Sequence, residues 1–119
     1  MERLLSCLSQ RIAQRLVKLP DQLLAHIEEI RIRINQPIEV VIGQHSFFLR
    51  ADGKLDQEPD GFVATLEDGQ KIINLISRHS LYALEEELKK GYITIPGGHR
   101  VGIAGKVVTD GRKVELIKH

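Results

Sequence analysis

A change of period at Glu29 constrains this chain more than any other feature. Before it, apolar residues recur at three- and four-residue steps: Leu5, Leu8, Ile12, Leu16 and Leu19. That spacing predicts an amphipathic helix ending at Pro20, with Arg3, Gln10, Arg11, Gln14, Arg15 and Lys18 falling mostly elsewhere. Pro20-Asp21 opens a short second helix that runs to about Ala25 or His26. From Glu29 the period is two. Ile30, Ile32 and Ile34 face one way, while Glu29, Arg31 and Arg33 face the other. A strand patterned in this way packs one face on a core and turns the other outward.

The rest of the chain extends that strand into a sheet. Asn35-Gln36-Pro37 predicts a turn, Ile38 to Ile42 a second strand, Gly43-Gln44 another turn, and Ser46 to Arg50 a third strand. Together they predict an antiparallel meander. Ala51 to Gly61, rich in Asp, Gly, Pro and Lys, reads as an exposed loop. Thr65-Leu-Glu-Asp68 resembles a helix capping box with Asp in place of the usual Glu or Gln, and Leu66, Ile72, Ile73 and Ile76 form the apolar face of the helix it starts. Ser80 caps the next helix, with Leu81, Leu84 and Leu88 inward and Gly91 as its stop. Strands follow at Tyr92 to Ile95, His99 to Val108 and Lys113 to Ile117, the last two joined by an Asp110-Gly111 hairpin turn. The fold class is therefore α+β: a mostly antiparallel sheet with N-terminal helices and a central helix pair packed on it.

Composition narrows the function. A chain of 119 residues fits one domain, and 17 Lys+Arg against 16 Asp+Glu leave no overall field to draw it to nucleic acid or to an anionic membrane. Aromatic residues make up 4% of the chain, with no Trp, which removes the usual stacking platforms for bases and sugars. The single cysteine, Cys7, excludes an intramolecular disulfide and suits a reducing compartment. No apolar run reaches the roughly 18–20 residues that span a bilayer, and the charged N-terminus is unlike a secretory signal. The expectation is a soluble, intracellular domain. The first helix, narrow in its apolar stripe and lacking Trp and Phe, fits one that covers a sheet. The same basic amphipathic pattern is also used to lie on a membrane or to dock on a partner.

The motifs are near misses. A Walker phosphate loop needs Gly, four residues, then Gly-Lys-Ser/Thr, because backbone amides cradle the phosphates and the hydroxyl binds magnesium. Here Gly105-Lys106 is followed by Val107, and Arg100 stands where the first Gly is required. A dinucleotide fingerprint fails for the same reasons, so the glycines of this stretch are expected to allow close strand packing or a bulge. His26, His45, His79, His99 and His119 show no metal-ligand spacing, and Ser77, Ser80 and Cys7 have no base-and-orienter context. Glu85-Glu86-Glu87 reads as a helix surface offset by Lys89 and Lys90. No catalytic or metal-binding residue is predicted. Arg31 and Arg33 on the polar face of the first strand, and His99-Arg100 at the start of another, fit a solvated sheet face, the commoner use of such a pattern, and are also suited to holding phosphate, since guanidinium groups on a rigid sheet bind it bidentately.

Two segments carry a family resemblance. Glu29-Ile-Arg-Ile-Arg-Ile-Asn-Gln-Pro-Ile and, much later, Ser77-Arg-His-Ser-Leu-Tyr-Ala-Leu-Glu-Glu-Glu-Leu-Lys-Lys-Gly-Tyr-Ile-Thr-Ile-Pro-Gly-Gly-His-Arg-Val-Gly-Ile-Ala-Gly-Lys resemble the N-terminal part of the stage III sporulation protein AA family. The likeness runs through the chain in order, most specifically from Ser77 to Lys106. It implies a cytoplasmic ATPase of spore-forming bacteria, similar to the motors of secretion and pilus systems. Such a motor acts on the mother-cell side, peripheral to the membrane, and energises a channel to the forespore. It further implies a hexameric ring, in which an N-terminal domain packs over a RecA-like domain holding ATP and Mg, and inner-membrane channel proteins as partners.

Residues 1–119 end before any Walker sequence, so the resemblance implies a single N-terminal accessory domain that does not hydrolyse ATP alone. By analogy with related motors, Arg31, Arg33, His99 and Arg100 are implied as sensors of the γ-phosphate. Two readings from other classes stand beside it. One is a nucleic-acid-binding adaptor using Arg31, Arg33, Arg100, Lys106, Arg112 and Lys113. The other is a small-ligand sensor with a pocket between sheet and helices.

Overall fold

The computed structural model describes the backbone of residues 5–76, 93–95, 99–104, 106–109 and 114–117, and the side chains of residues 5–75 and 100–102. Helices α1 (Gln10–Leu16) and α2 (Asp21–Ala25) precede strands β1 (Ile27–Arg33), β2 (Glu39–Ile42), β3 (His45–Leu49) and β4 (Leu55–Asp56). Helix α3 (Leu66–Ile76) leads to β5 (Ile93–Ile95), β6 (His99–Ala104), β7 (Lys106–Thr109) and β8 (Val114–Ile117). The main sheet has the order β4-β3-β2-β1-β6-β5, and β7 and β8 form a separate two-stranded sheet. Among the described strands every pairing is antiparallel except β1 with β6, and an isolated bridge between Ile34 and Ala64 is also parallel. The class is α+β with a mostly antiparallel sheet, as expected.

The period change at Glu29 organises the core. Ile30 and Ile32 are fully buried, together with Ile12 and Leu16 of α1, Ile72 and Ile73 of α3, Val40 of β2 and Val101 of β6. These residues belong to one continuous cluster that also takes in Leu8, Leu19, Leu24, Ile27, Ile38, Leu49 and Phe62. Ile27 and Ile30 are both buried although three apart, because a register irregularity between Ile27 and Glu29 places three residues of β1 against two of β2. The bulge lies here. Gly102, where close packing or a bulge was expected, pairs in regular register with Arg31.

Four local expectations are corrected. The first helix is not continuous: Leu5 and Ser6 are helical, the chain turns at Cys7–Leu8, and α1 starts afresh after Ser9, whose extended backbone serves as N-cap. The apolar stripe survives the break because Leu8 and Ile12 stay buried. Residues 51–61 are not all loop, since Leu49 pairs with Leu55 and Phe48 with Asp56 across a turn in which Arg50 donates its amide to the Lys54 carbonyl at 2.9 Å. Leu55, the one large apolar side chain of that segment, packs against the core. The stretch from His99 to Val108 divides into β6 and β7, which belong to different sheets. Leu66 is exposed rather than inward, because it sits at the first helical position and Asp68 and Gly69 take the buried side of that turn. The Ser80 helix and the Asp110-Gly111 turn lie outside the described residues.

A buried carboxylate joins the N-terminal helix to α3. The Thr65 amide donates to Asp68 Oδ2 at 2.8 Å and the Asp68 amide donates to Thr65 Oγ1 at 3.1 Å, which is the reciprocal capping box predicted with Asp in the third position. Asp68 does more than cap. Ser9 Oγ donates to its Oδ1 at 2.9 Å, and Arg11 Nη1 donates to its Oδ2 at 2.7 Å and to the Val63 carbonyl at 3.0 Å. The Arg11 and Arg15 guanidinium carbons each stand 4.3 Å from the centroid of the Phe62 ring. Arg15 Nη1 donates to the Arg11 carbonyl at 2.8 Å, while its buried Nε has no hydrogen-bond partner among the described residues. Burial alone would raise the pKa of Asp68. The Thr65 amide, the Ser9 and Thr65 side chains and the Arg11 charge outweigh burial and hold it below the usual carboxylate range.

The sign of the linkage follows. A depressed folded pKa makes the contribution of Asp68 present above the unfolded value of about 3.9 and lost as pH falls through the folded value. Asp68→Asn should therefore cost about 2–4 kcal/mol at neutral pH, by leaving Arg11 without its counter-charge and weakening the cap. It should also flatten the acid limb of urea-midpoint against pH; an unchanged limb would show that Asp68 does not couple to folding. The β2–β3 turn supplies a second test. Gly43 and Gln44 have φ of 58° and 68°, the double-positive signature of a type I′ hairpin. Gln44 has a side chain where glycine is preferred, so Gln44→Gly should raise the unfolding free energy by about 0.5–1 kcal/mol.

Candidate functional site

The face of the sheet opposite the core is built by the same alternation that buries Ile30 and Ile32. In β1, Glu29, Arg31 and Arg33 project from it, and antiparallel pairing brings Glu39 of β2 directly opposite Arg31. Parallel pairing with β6 sets Arg100 beside Glu29 and Gly102 beside Arg31. Register partners in a parallel pair share a face, so β6 adds a cation at one end of the row and no side chain next to Arg31.

Glu39 is the hub. Arg31 Nη1 donates to its Oε2 at 3.2 Å, Arg33 Nη1 lies 3.5 Å from its Oε1, and Ser46 Oγ of β3 donates to Oε2 at 3.4 Å. Arg31 Nη2 also donates to Glu29 Oε2 at 3.4 Å. Hydrogen bonding to Glu29, the Glu29 charge and the contacts to Glu39 raise the pKa of Arg31 above its ordinary value, so it remains a cation throughout the accessible pH range. The guanidinium groups are partly open, with Arg31 40% and Arg33 52% exposed in their side chains, against 19% for Glu39. Chemically, the arrangement is a short row of planar cations around carboxylate oxygens, a geometry that suits any oxyanion presenting two oxygens in one plane.

The four residues proposed from the sequence are thus only partly assembled by what is described. Arg31, Arg33 and Arg100 share one sheet face. His99 begins β6, its backbone paired with Ile95, and its side chain lies outside the described residues. Lys106 belongs to the separate β7–β8 sheet, and Arg112 and Lys113 lie outside the described residues. Sequence reasoning did not find Glu39 and Ser46. Their signal is in the meander itself: once the turn after Ile34 sets Arg31 opposite Glu39, period two puts Glu39 on the arginine face. Among the described residues, no group of three His, Cys, Asp or Glu side chains is placed to hold a metal ion, and no helix is long and apolar enough to cross a membrane.

These features define an α+β domain that packs its helices on one side of a mixed sheet and carries an ion-paired arginine row on the other. The family described as sporulation stage III, protein AA, matches residues 1–119, and the chain belongs to that family. It is 39% identical over 118 residues to the stage III sporulation protein AA of Bacillus subtilis (strain 168), an alignment that covers 99% of this chain and 35% of that protein. The chain spans about a third of the length of the curated relative it matches. No solved structure matches it. The resemblance drawn from Glu29–Ile38 and Ser77–Lys106 therefore holds at the level of the family.

Proposed function

We propose that residues 1–119 form the N-terminal accessory domain of a sporulation ATPase, and that the arginine face of the sheet senses the terminal phosphate of a nucleotide bound elsewhere in the protein. The observation that carries the reading is the row of Arg31, Arg33 and Arg100 on the outward face of strands whose other face is the core. Family membership and the relative's greater length support it, since they give such a domain a larger protein to serve. In this reading ATP and Mg bind outside residues 1–119. The domain supplies guanidinium contacts made only in the ATP state, and such contacts bias domain closure because they favour one of two arrangements. His99, at the start of the same strand as Arg100, completes the proposed set. The domain does not hydrolyse ATP alone, helps assemble a hexameric ring on the cytoplasmic, mother-cell side of the membrane, and passes its motion to inner-membrane proteins of a channel.

The nucleic-acid reading draws less support. Glu29 and Glu39 interleave with the arginines and would repel a phosphate backbone lying across the row.

The test is turnover in the protein joined to its ATPase domain. Arg31→Ala and Arg100→Ala should each lower the ATPase rate about tenfold or more, the scale of losing one positioned cation or donor. The far-ultraviolet spectrum and urea midpoint should stay near the parent values, because exposed ion pairs contribute at most about 1 kcal/mol. Full activity in both variants would remove these arginines from the mechanism.

A further inference from the structure

The contacts around Glu39 have a second consequence, which rests on the phosphate-sensing reading above. The protein contains two kinds of arginine–carboxylate pair. Arg11 meets the nearly buried Asp68 at 2.7 Å, a short charge-assisted bond held from several sides. Arg31, Arg33 and Ser46 meet Glu39 at 3.2–3.5 Å on an open face. Contacts that long are beyond the usual range for N⁺–H···O⁻ bonds and easily exchanged. Each Glu39 oxygen nonetheless takes its own guanidinium, and Oε2 also takes a hydroxyl. This is the donor set a tetrahedral oxyanion would use.

We infer that Glu39 is an internal stand-in for phosphate: its carboxylate occupies the Arg31–Arg33–Ser46 cradle and is displaced when the terminal phosphate of a nucleotide enters. Gly102 favours that entry, because the register neighbour of Arg31 on β6 contributes no side chain to the face. The charge balance favours exchange over simple addition. With Glu39 in place, Arg31 and Arg33 are balanced by Glu29 and Glu39, and among the described residues the only net charge on the row comes from Arg100 beside Glu29. Once Glu39 swings away, the three cations face Glu29 alone. Glu39 thus sets a threshold, so that weak or singly charged anions do not trigger the arginines.

The experiment titrates inorganic phosphate into the 119-residue chain by calorimetry in low-salt buffer, comparing the parent with Glu39→Gln and with Glu39→Gln combined with Arg33→Ala. Glu39→Gln should bind phosphate roughly fivefold tighter, the Boltzmann equivalent of removing one like charge about 4 Å away in a high-dielectric setting, and added salt should erase the gain. The double variant should fall back to the parent affinity or below it. Equal affinity in Glu39→Gln and the parent would overturn the inference, as would a gain that persists without Arg33. Should Glu39→Gln fail to fold, Glu39→Ala carries the same test, because it removes the same charge from the cradle and should also bind phosphate more tightly than the parent. A negative result removes the role of Glu39 alone. The turnover of Arg31→Ala in the ATPase-joined protein decides the sensing reading separately.

Discussion

The Asp68 carboxylate is where the two halves of the helical layer meet, and the placement of everything on the far side of the sheet depends on it. An ionised carboxylate with 4% of its side chain exposed is tolerated only if its oxygens are hydrogen-bonded, and the three contacts from Thr65, Ser9 and Arg11 do this. Each of the three groups is held in place by its own element. Ser9 is fixed as the cap of α1, Arg11 also donates to the Val63 carbonyl, and the Thr65 amide is an otherwise unpaired first-turn donor of α3. The node therefore sets α1 against α3 in one arrangement. With both helices committed to the isoleucine side, the arginine side of the same strands is left as the outward face.

Much of this architecture was legible because its signals are local. The alternation from Glu29 to Ile34 and the leucine and isoleucine steps of the first helix each depend on residues a few positions apart. So does the Thr65–Asp68 cap; the strand and the cap appear where the sequence put them, and the first helix keeps its apolar stripe although it is broken at Cys7–Leu8. What was not legible is non-local. Nothing near Asp68 in sequence announces Ser9 or Arg11, which come from 59 and 57 residues away. The parallel pairing of β1 with β6 brings Arg100 alongside Glu29 across about 70 residues of chain, by a crossover that periodicity cannot reveal. The break at Cys7–Leu8 also escaped detection. The apolar stripe continues across it, and Ser9 reads as a helix interior residue until its hydroxyl is seen to turn toward Asp68.

The two clusters of arginine show how context divides one residue type between structure and recognition. Arg11 and Arg15 each stack a guanidinium on the Phe62 ring, and the nearly buried Asp68 neutralises Arg11. The buried Nε of Arg15 is the cost of that stacking, since a guanidinium lying over a ring cannot aim all of its donors outward. Such a group is committed and has little to offer a ligand. Arg31 and Arg33 carry the same charge with no ring beside them among the contacts described, and they reach their carboxylates through longer, more exposed contacts. By contact distance and by the exposure of the carboxylate, 19% for Glu39 against 4% for Asp68, the sheet pair is the one available for exchange.

The position of β1 in the sheet makes that availability useful. It is flanked by β2 and β6, and its inward residues Ile30 and Ile32 are fully buried. Arg31 and Arg33 therefore stand on a strand paired on both edges and packed on one face, where backbone adjustment is opposed and side-chain torsions are the easier freedom. A cation on an edge strand or loop would lose precision to backbone motion, and one held by a buried carboxylate would be committed as Arg11 is. A single alternating segment avoids both outcomes. Its isoleucines anchor the strand from one side, and the arginines they immobilise present their charge from the other.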